Sequence, residues 1–192
     1  MPMNVLLHSC CGPCLGGVYP ALNIEEPTQR FVPFWDNFNI HPYVEYQSRL
    51  DSFKTLIASL KIEALFGKTG YGLERFLKEL NGNHGSSRCR ICYKIRLEET
   101  ATRAKSESFE AFSTTLLISP YQNQEWLYEI GNEIAKTNGL TFYFRDLRNY
   151  FRDTYSAAKT YGLYRQKYCG CIFSEFERFS SSNRKKQRVP TY

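Results

Sequence analysis

Seven cysteines are the residues best able to do chemistry, and they fall into three groups: Cys10-Cys11-Gly12-Pro13-Cys14, Cys89-Arg90-Ile91-Cys92 and Cys169-Gly170-Cys171. Thiolates are soft ligands that suit Zn²⁺, Cu(I) and iron–sulfur clusters, and a C-x-x-C pair can reach one metal ion or two corners of a cluster. A cubane [4Fe–4S] cluster takes four thiolates, which leaves three, and three protein ligands with one open position is the form of a reactive metal site. Seven fits four plus three, but spacing does not say which cysteine belongs to which set. An odd number of clustered thiols also argues against a disulfide framework. Two other chemistries compete. Structural zinc would close the same groups without reactivity, as in a zinc-stabilised RNA-binding module. Cys11-Gly-Pro-Cys14 after a strand is also the C-x-x-C of a thioredoxin-like thiol oxidoreductase, in which a helix N-terminus lowers the first thiol's pKa. The residue before Cys11 is another cysteine, however, not the tryptophan of that motif, and five further cysteines would go unused.

Elements that could carry these groups are legible as alternating patterns. Asn4–His8, Arg30–Trp35, Ile62–Phe66, Phe112–Leu117 and Thr141–Phe144 are short, apolar or β-branched, and read as five strands. Tyr46, Leu50, Phe53, Ile57 and Leu60 recur at helical spacing, and shorter stripes run through Leu73–Leu80, Tyr93–Ala104, Leu127–Ile134 and Ala157–Tyr164. Strands alternating with helices predict a parallel sheet covered on both faces, with ligands beyond the carboxyl ends of the strands. The first cysteine group then follows the first strand, the second opens a helix, and the third follows the last helix, so all three meet at one end of the sheet. The segment Leu15–Pro27 is poor in helical pattern for a first crossover.

The chain has 192 residues, 42% hydrophobic and 16% aromatic, enough to pack one core and to exclude a disordered or fibrous protein. The expected organisation is a metal-binding α/β domain over residues 1–179 and a basic, solvated tail over 180–192. That tail holds Arg184, Lys185, Lys186 and Arg188 and no acid, so it supplies four of the six net positive charges. No window has the roughly 20 apolar residues of a membrane span, and Met1–Leu7 lacks the basic start and cleavage site of a signal peptide, so a cytoplasmic location is expected. No phosphate loop, dinucleotide fingerprint or G-x-S-x-G elbow occurs. His8, two residues before Cys10, is a core histidine or a partner orienting a ligand.

The cysteine groups sit inside longer motifs. His8-Ser-Cys10-Cys11-Gly-Pro-Cys14, Asn39-Ile-His-Pro42 with Glu45-Tyr46 and Arg49, Cys89-Arg-Ile-Cys92-Tyr-Lys-Ile-Arg96-Leu, Thr114-Thr115-Leu-Leu-Ile-Ser119-Pro120-Tyr121-Gln122, Asp146-Leu-Arg148 and Leu163-Tyr-Arg-Gln-Lys-Tyr-Cys169-Gly-Cys171 together resemble the cobalamin-independent epoxyqueuosine reductases of the QueH type. The resemblance spans about residues 4 to 175. Phe38 stands where that family often has proline, and Leu147 where it often has phenylalanine. The resemblance implies a single-domain, HUP-like (Rossmann-like) parallel sheet, a [4Fe–4S] cluster beside a second metal ion (iron or zinc), and an external electron donor. It also implies removal of the epoxide oxygen of epoxyqueuosine in the anticodon loop of tRNA, the last step of queuosine biosynthesis. Under that reading all seven cysteines are metal ligands. Asp146 is the catalytic candidate, as second-metal ligand or proton donor, unless Arg145 or Arg148 pairs with it. Arg148, Arg165 and Lys167 are candidates for phosphate contacts, and Tyr121, Tyr164 and Tyr168 for stacking on splayed bases.

Overall fold

Apolar runs with no polar face must be covered on both sides, and the five strands of this chain are arranged accordingly. The computed structural model describes the backbone of residues 2–186 and the side chains of residues 2–180. Strands β1 (Asn4–His8), β2 (Arg30–Trp35), β3 (Leu65–Phe66), β4 (Ala111–Thr114) and β5 (Thr141–Phe142) form one all-parallel sheet in the order β3-β2-β1-β4-β5, a Rossmann-like arrangement. β1 is central and buried beyond its first residue. His8 is paired with Phe34 on one side and Thr114 on the other, so the carboxyl ends of three strands lie level.

Among the described residues seven helices connect and cover the sheet: α1 (Gly12–Glu25), α2 (Tyr43–Leu60), α3 (Leu73–Leu80), α4 (Arg88–Ser106), α5 (Gln124–Asn138), α6 (Asp153–Thr160) and α7 (Ile172–Lys186). α1 packs on α2 and α6, and α4 packs on α5. The chain steps outward from β1 to β2 and β3 on one side. It then crosses back through α4 to β4 on the other, which makes the gap between β1 and β4 the point where strand order reverses and ligands bind in such sheets.

Three differences from the sequence expectation have physical causes. α1 shows no apolar stripe because its first half, Gly12–Val18, is buried on every side, with Gly12, Gly16 and Gly17 against its neighbours. A Cβ on Gly16 would lie 2.8 Å from the Cβ of Ala157, so the glycine sets how closely α1 meets α6. β4 stops at Thr114 because that side chain turns back to accept from the Leu116 amide at 3.1 Å, opening a 3-10 turn over Thr115–Ile118. The third cysteine group does not follow the last helix; it precedes α7, whose start is tied to Cys171 by Glu175 N–H donating to the Cys171 carbonyl at 3.0 Å. α7 carries the backbone of the basic segment to Lys186, and residues 187–192 of the expected tail lie outside the described residues. No helix among the described residues is long and apolar enough to cross a membrane.

Candidate metal centre

The loop between β1 and α1 lies in the gap where strand order reverses. There Cys10, Cys11 and Cys14 bring their sulfurs within 4.8 Å of one another. Cys11 also caps α1: its sulfur accepts from the Cys14 amide at 3.2 Å, and Pro13 occupies the first turn, where its missing N–H costs nothing. Thr115, from the turn after β4, reaches across the gap. Its hydroxyl oxygen accepts from the Cys10 amide at 2.9 Å and lies 3.1 Å from Cys10 Sγ.

Cys89 and Cys92 lie one turn apart at the start of α4, and Cys169 and Cys171 in the loop between α6 and α7. These four thiols act electrostatically on one another, and Cys10 acts on Cys169. All seven cysteines are free thiols. Of the three groups expected to meet, the first gathers closely enough to hold one ion, and Gln166, from the loop that carries Cys169 and Cys171, reaches it.

Buried polar side chains hold the third loop in place. Arg49 of α2 is buried with Glu45 at 2.7 Å, and its guanidinium donates to the carbonyls of Cys169 at 2.8 Å and Tyr168 at 3.0 Å. The Tyr168 hydroxyl donates to the His41 carbonyl at 2.6 Å, and the His41 amide donates to the Gly170 carbonyl at 2.8 Å. Two glutamines touch the thiols directly. Gln166 Nε2 lies 3.0 Å from Cys11 Sγ and 3.7 Å from Cys14 Sγ, while Gln122 Nε2 lies 3.7 Å from Cys169 Sγ and its Oε1 accepts from the Tyr93 hydroxyl at 2.9 Å. Amide donors at thiolate sulfur are what a bound metal–thiolate group uses to spread its charge.

The protonation pattern fits a cation-binding site. Hydrogen bonding from Cys11 and Cys14 pulls the Cys10 thiol well below its ordinary value. Burial and the Cys10 contact push Cys11 up, while contacts with Cys10 and Cys11, then burial, push Cys14 up. Deprotonating three touching thiols gathers negative charge in one buried spot, which a positive ion among them offsets. Burial also drives Cys92 up to about 12. Soft thiol donors, free of disulfides and lined with amide donors, fit an iron–sulfur or other thiophilic metal group.

Comparison with known proteins agrees with the site. The family model described as epoxyqueuosine reductase QueH matches residues 5–177. The chain belongs to the QueH family. Curated relatives named epoxyqueuosine reductase QueH include one from Dehalococcoides mccartyi, 37% identical over 183 residues covering 95% of this chain and 98% of its own. Another, from Thermotoga maritima, is 33% identical over 185 residues, 91% and 92% of the two chains. A third, from Helicobacter pylori, is 37% identical over 194 residues, 94% of this chain and 51% of the longer relative. The family is one of oxidoreductases, and the buried Cys10, Cys11 and Cys14 group is able to hold a metal.

The remaining expected residues divide. Asp146 is about half exposed and held by Arg148, whose Nε and terminal nitrogen lie 2.8 and 2.5 Å from its two oxygens. That pairing holds the carboxyl below its ordinary value, the opposite of what a proton donor needs, and it ties up Arg148 as well. Of the readings the sequence offered for Asp146, the structure shows the pairing with Arg148. Tyr164 donates its hydroxyl to Glu45 at 2.5 Å, and Tyr168 packs against Arg49 and Phe179, so both serve the scaffold. Tyr121 is 82% exposed and Arg165 and Lys167 are exposed. His8 is a core histidine: its Nδ1 lies 2.9 Å from Thr114 Oγ1, and burial drives its pKa down to about 3.

Sequence reading missed Gln166, Gln122, Phe151 and Tyr155. Tyr121, Phe151 and Tyr155 meet edge to face at successive centroid distances of 5.9 Å, and the Arg165 guanidinium lies 3.7 Å over the Tyr155 ring. The two ends of this surface row are the chain neighbours of the two glutamines that touch the thiols. Only the Gln166 and Gln122 positions inside quoted motifs could have signalled them; nothing in periodicity pointed to Phe151 or Tyr155.

Proposed function

We propose that this protein reduces the epoxide of epoxyqueuosine in tRNA to give queuosine, the last step of queuosine biosynthesis, using an iron–sulfur cluster and a second metal ion held by its seven thiols. The observation that carries the reading is the buried trio Cys10, Cys11 and Cys14 in the reversal gap of a QueH-family fold, with the other four thiols on the start of α4 and the loop before α7. In the reaction both epoxide C–O bonds break, a C=C bond forms, and the oxygen leaves as water. It consumes two electrons from an external donor and two protons. When bound, a cluster would supply electrons singly and a neighbouring metal would polarise the departing oxygen.

The chain's own part is to hold and shield. Cys10, Cys11, Cys14, Cys89, Cys92, Cys169 and Cys171 would ligate the two groups, divided four and three. Gln166 and Gln122 donate amide hydrogens to sulfur on two sides of the site. Arg49 fixes the loop that carries Cys169 and Cys171.

RNA binding is supported by the row Tyr121–Phe151–Tyr155–Arg165, which borders the thiols through Gln122 and Gln166. Exposed rings such as Tyr121 and Tyr155, the latter stacked under the Arg165 guanidinium, are the surface on which unstacked loop bases stack, at about 1–3 kcal/mol per base. Arg165 and Lys167 are placed for the adjoining phosphates.

Anaerobic purification followed by iron, zinc and acid-labile sulfide analysis tests the metal content. At least about four irons with matching sulfide is expected for one cubane cluster. Zinc alone, with no sulfide after reconstitution, would overturn the reading and leave a zinc-stabilised RNA-binding module.

A further inference from the structure

Burying a guanidinium without an anion costs several kcal/mol, so a buried arginine without an ion pair indicates a missing negative partner. Three arginines are buried among the described residues: Arg49, Arg88 and Arg96. Arg49 has Glu45 and Arg88 has Glu177. Arg96, 2% exposed, makes no ion pair among the described residues. One of its terminal nitrogens donates to Asn37 Oδ1 at 2.9 Å, and Asn37 Nδ2 donates in turn to the Ser9 carbonyl at 2.9 Å, next to Cys10. Its Nε has no hydrogen-bond partner.

Arg96 lies on α4 one turn beyond Cys92, and its charge bears on Cys10, Cys92 and Cys169, one thiol from each cysteine group. Asp36 feels the same charge from beyond ion-pair distance. Thiolates around iron–sulfur and metal centres leave the assembled group net negative, and that group is the anion Arg96 lacks.

We propose that Arg96 is the counter-charge of the metal group, donating its free N–H toward sulfur and raising the reduction potential of the iron–sulfur cluster. This rests on the cluster reading above. Positive charge and N–H···S bonds both favour the reduced, more negative state of a cluster. The step concerned is one electron passing from a low-potential donor, dithionite in the test, to the oxidised cluster, with no bond made or broken.

The test is an anaerobic redox titration followed by paramagnetic resonance on wild type, Arg96→Gln, Arg96→Lys, Asn37→Asp and Asn37→Ala, each with iron and sulfide counted. Asn37→Asp places a carboxylate on the atom that Arg96 already touches, cancelling the charge with little change of shape. Asn37→Ala loses the same bond to Ser9 without adding charge. Arg96→Gln and Asn37→Asp should bind the electron at least about tenfold more weakly, a fall of 59 mV for one electron. Arg96→Lys and Asn37→Ala should stay closer to wild type than either. Unchanged potentials in Arg96→Gln and Asn37→Asp, or an equal fall in Asn37→Ala, would overturn the proposal. If Arg96→Gln and Asn37→Asp fail to retain iron, retention by Arg96→Lys supports the counter-charge role and its failure overturns it. A wild-type chain without iron overturns both this proposal and the cluster reading, whereas a loaded wild type with indifferent variants overturns this one alone.

Discussion

Replacing Arg49 by methionine should be among the most damaging single changes outside the thiols, and its cost can be worked from the contacts. The guanidinium is 2% exposed and its partner carboxylate 7%, so neither charge is appreciably hydrated. Methionine fills much of the volume but leaves Glu45 buried with only the Tyr164 hydroxyl as a donor, at 2.5 Å. Breaking one side of a buried pair costs about 3–5 kcal/mol, and the two donations to the Cys169 and Tyr168 carbonyls are lost with it. For a chain of this size each kcal/mol moves the midpoint by about 2–4 °C, so a drop of about 6–20 °C is expected. Thermal and urea unfolding of the metal-free protein, followed by circular dichroism, measure it. Glu45→Gln in the Arg49→Met background removes the stranded charge and should regain about 1–3 kcal/mol, the coupling typical of touching residues. An Arg49→Met loss below about 1 kcal/mol, or a double variant as unstable as the sum of its singles, would refute the reasoning.

Other predictions follow from single contacts. Burial, with Glu99 adding and Arg75 and Arg96 opposing, raises the Asp36 carboxyl from 3.8 to about 6. It is protonated in both states at pH 3 and below; as pH rises through the window up to about 6 the unfolded chain ionises first, so stability falls by up to about 3 kcal/mol and stays lowered above it. Asp36→Asn should therefore match wild type in urea midpoint at low pH and exceed it at pH 7; equal midpoints at pH 7 would contradict the burial cause. Gly16→Ala puts a Cβ 2.8 Å from Ala157 and should cost about 1–3 kcal/mol by forcing α1 from α6, which urea unfolding reads directly. Tyr121→Ala, at an 82% exposed site, should leave stability unchanged yet weaken tRNA binding about 5- to 150-fold, measured by filter retention at fixed salt. Unaltered affinity would remove Tyr121 from the RNA surface.

The sheet was legible because strand runs and helix stripes obey their periods: Asn4–His8 and Arg30–Trp35 form strands at the positions read from the sequence, and the stripes on α2 to α5 together bury most of their residues, whereas the Ala157–Tyr164 stripe runs past the end of α6 at Thr160. α1 was obscure because its first half, Gly12–Val18, is buried on every side and packed through glycines, and so has no polar face to mark its period. α7 was hidden for the opposite reason. Its apolar residues Phe173, Phe176 and Phe179 are spaced for a helix, but serine, arginine and lysine around them read as a solvated tail. The cysteine groups announced themselves by spacing alone. Their neighbours did not: Gln166 reaches Cys11 across 155 positions of sequence, and Arg96 owes its isolation to what the fold places around it. Such roles depend on three-dimensional neighbours, which no local pattern encodes. The pairing of Asp146 with Arg148 was one of the alternatives the sequence offered, because the two residues stand two positions apart.

The most direct test of the central claim is turnover. Anaerobically prepared protein with its metal groups loaded is given dithionite and tRNA containing epoxyqueuosine, and the nucleosides are then weighed by mass spectrometry. Loss of one oxygen atom from the modified nucleoside, abolished in Cys11→Ser, is the predicted result. Unchanged epoxyqueuosine with a fully loaded, reduced protein would contradict it.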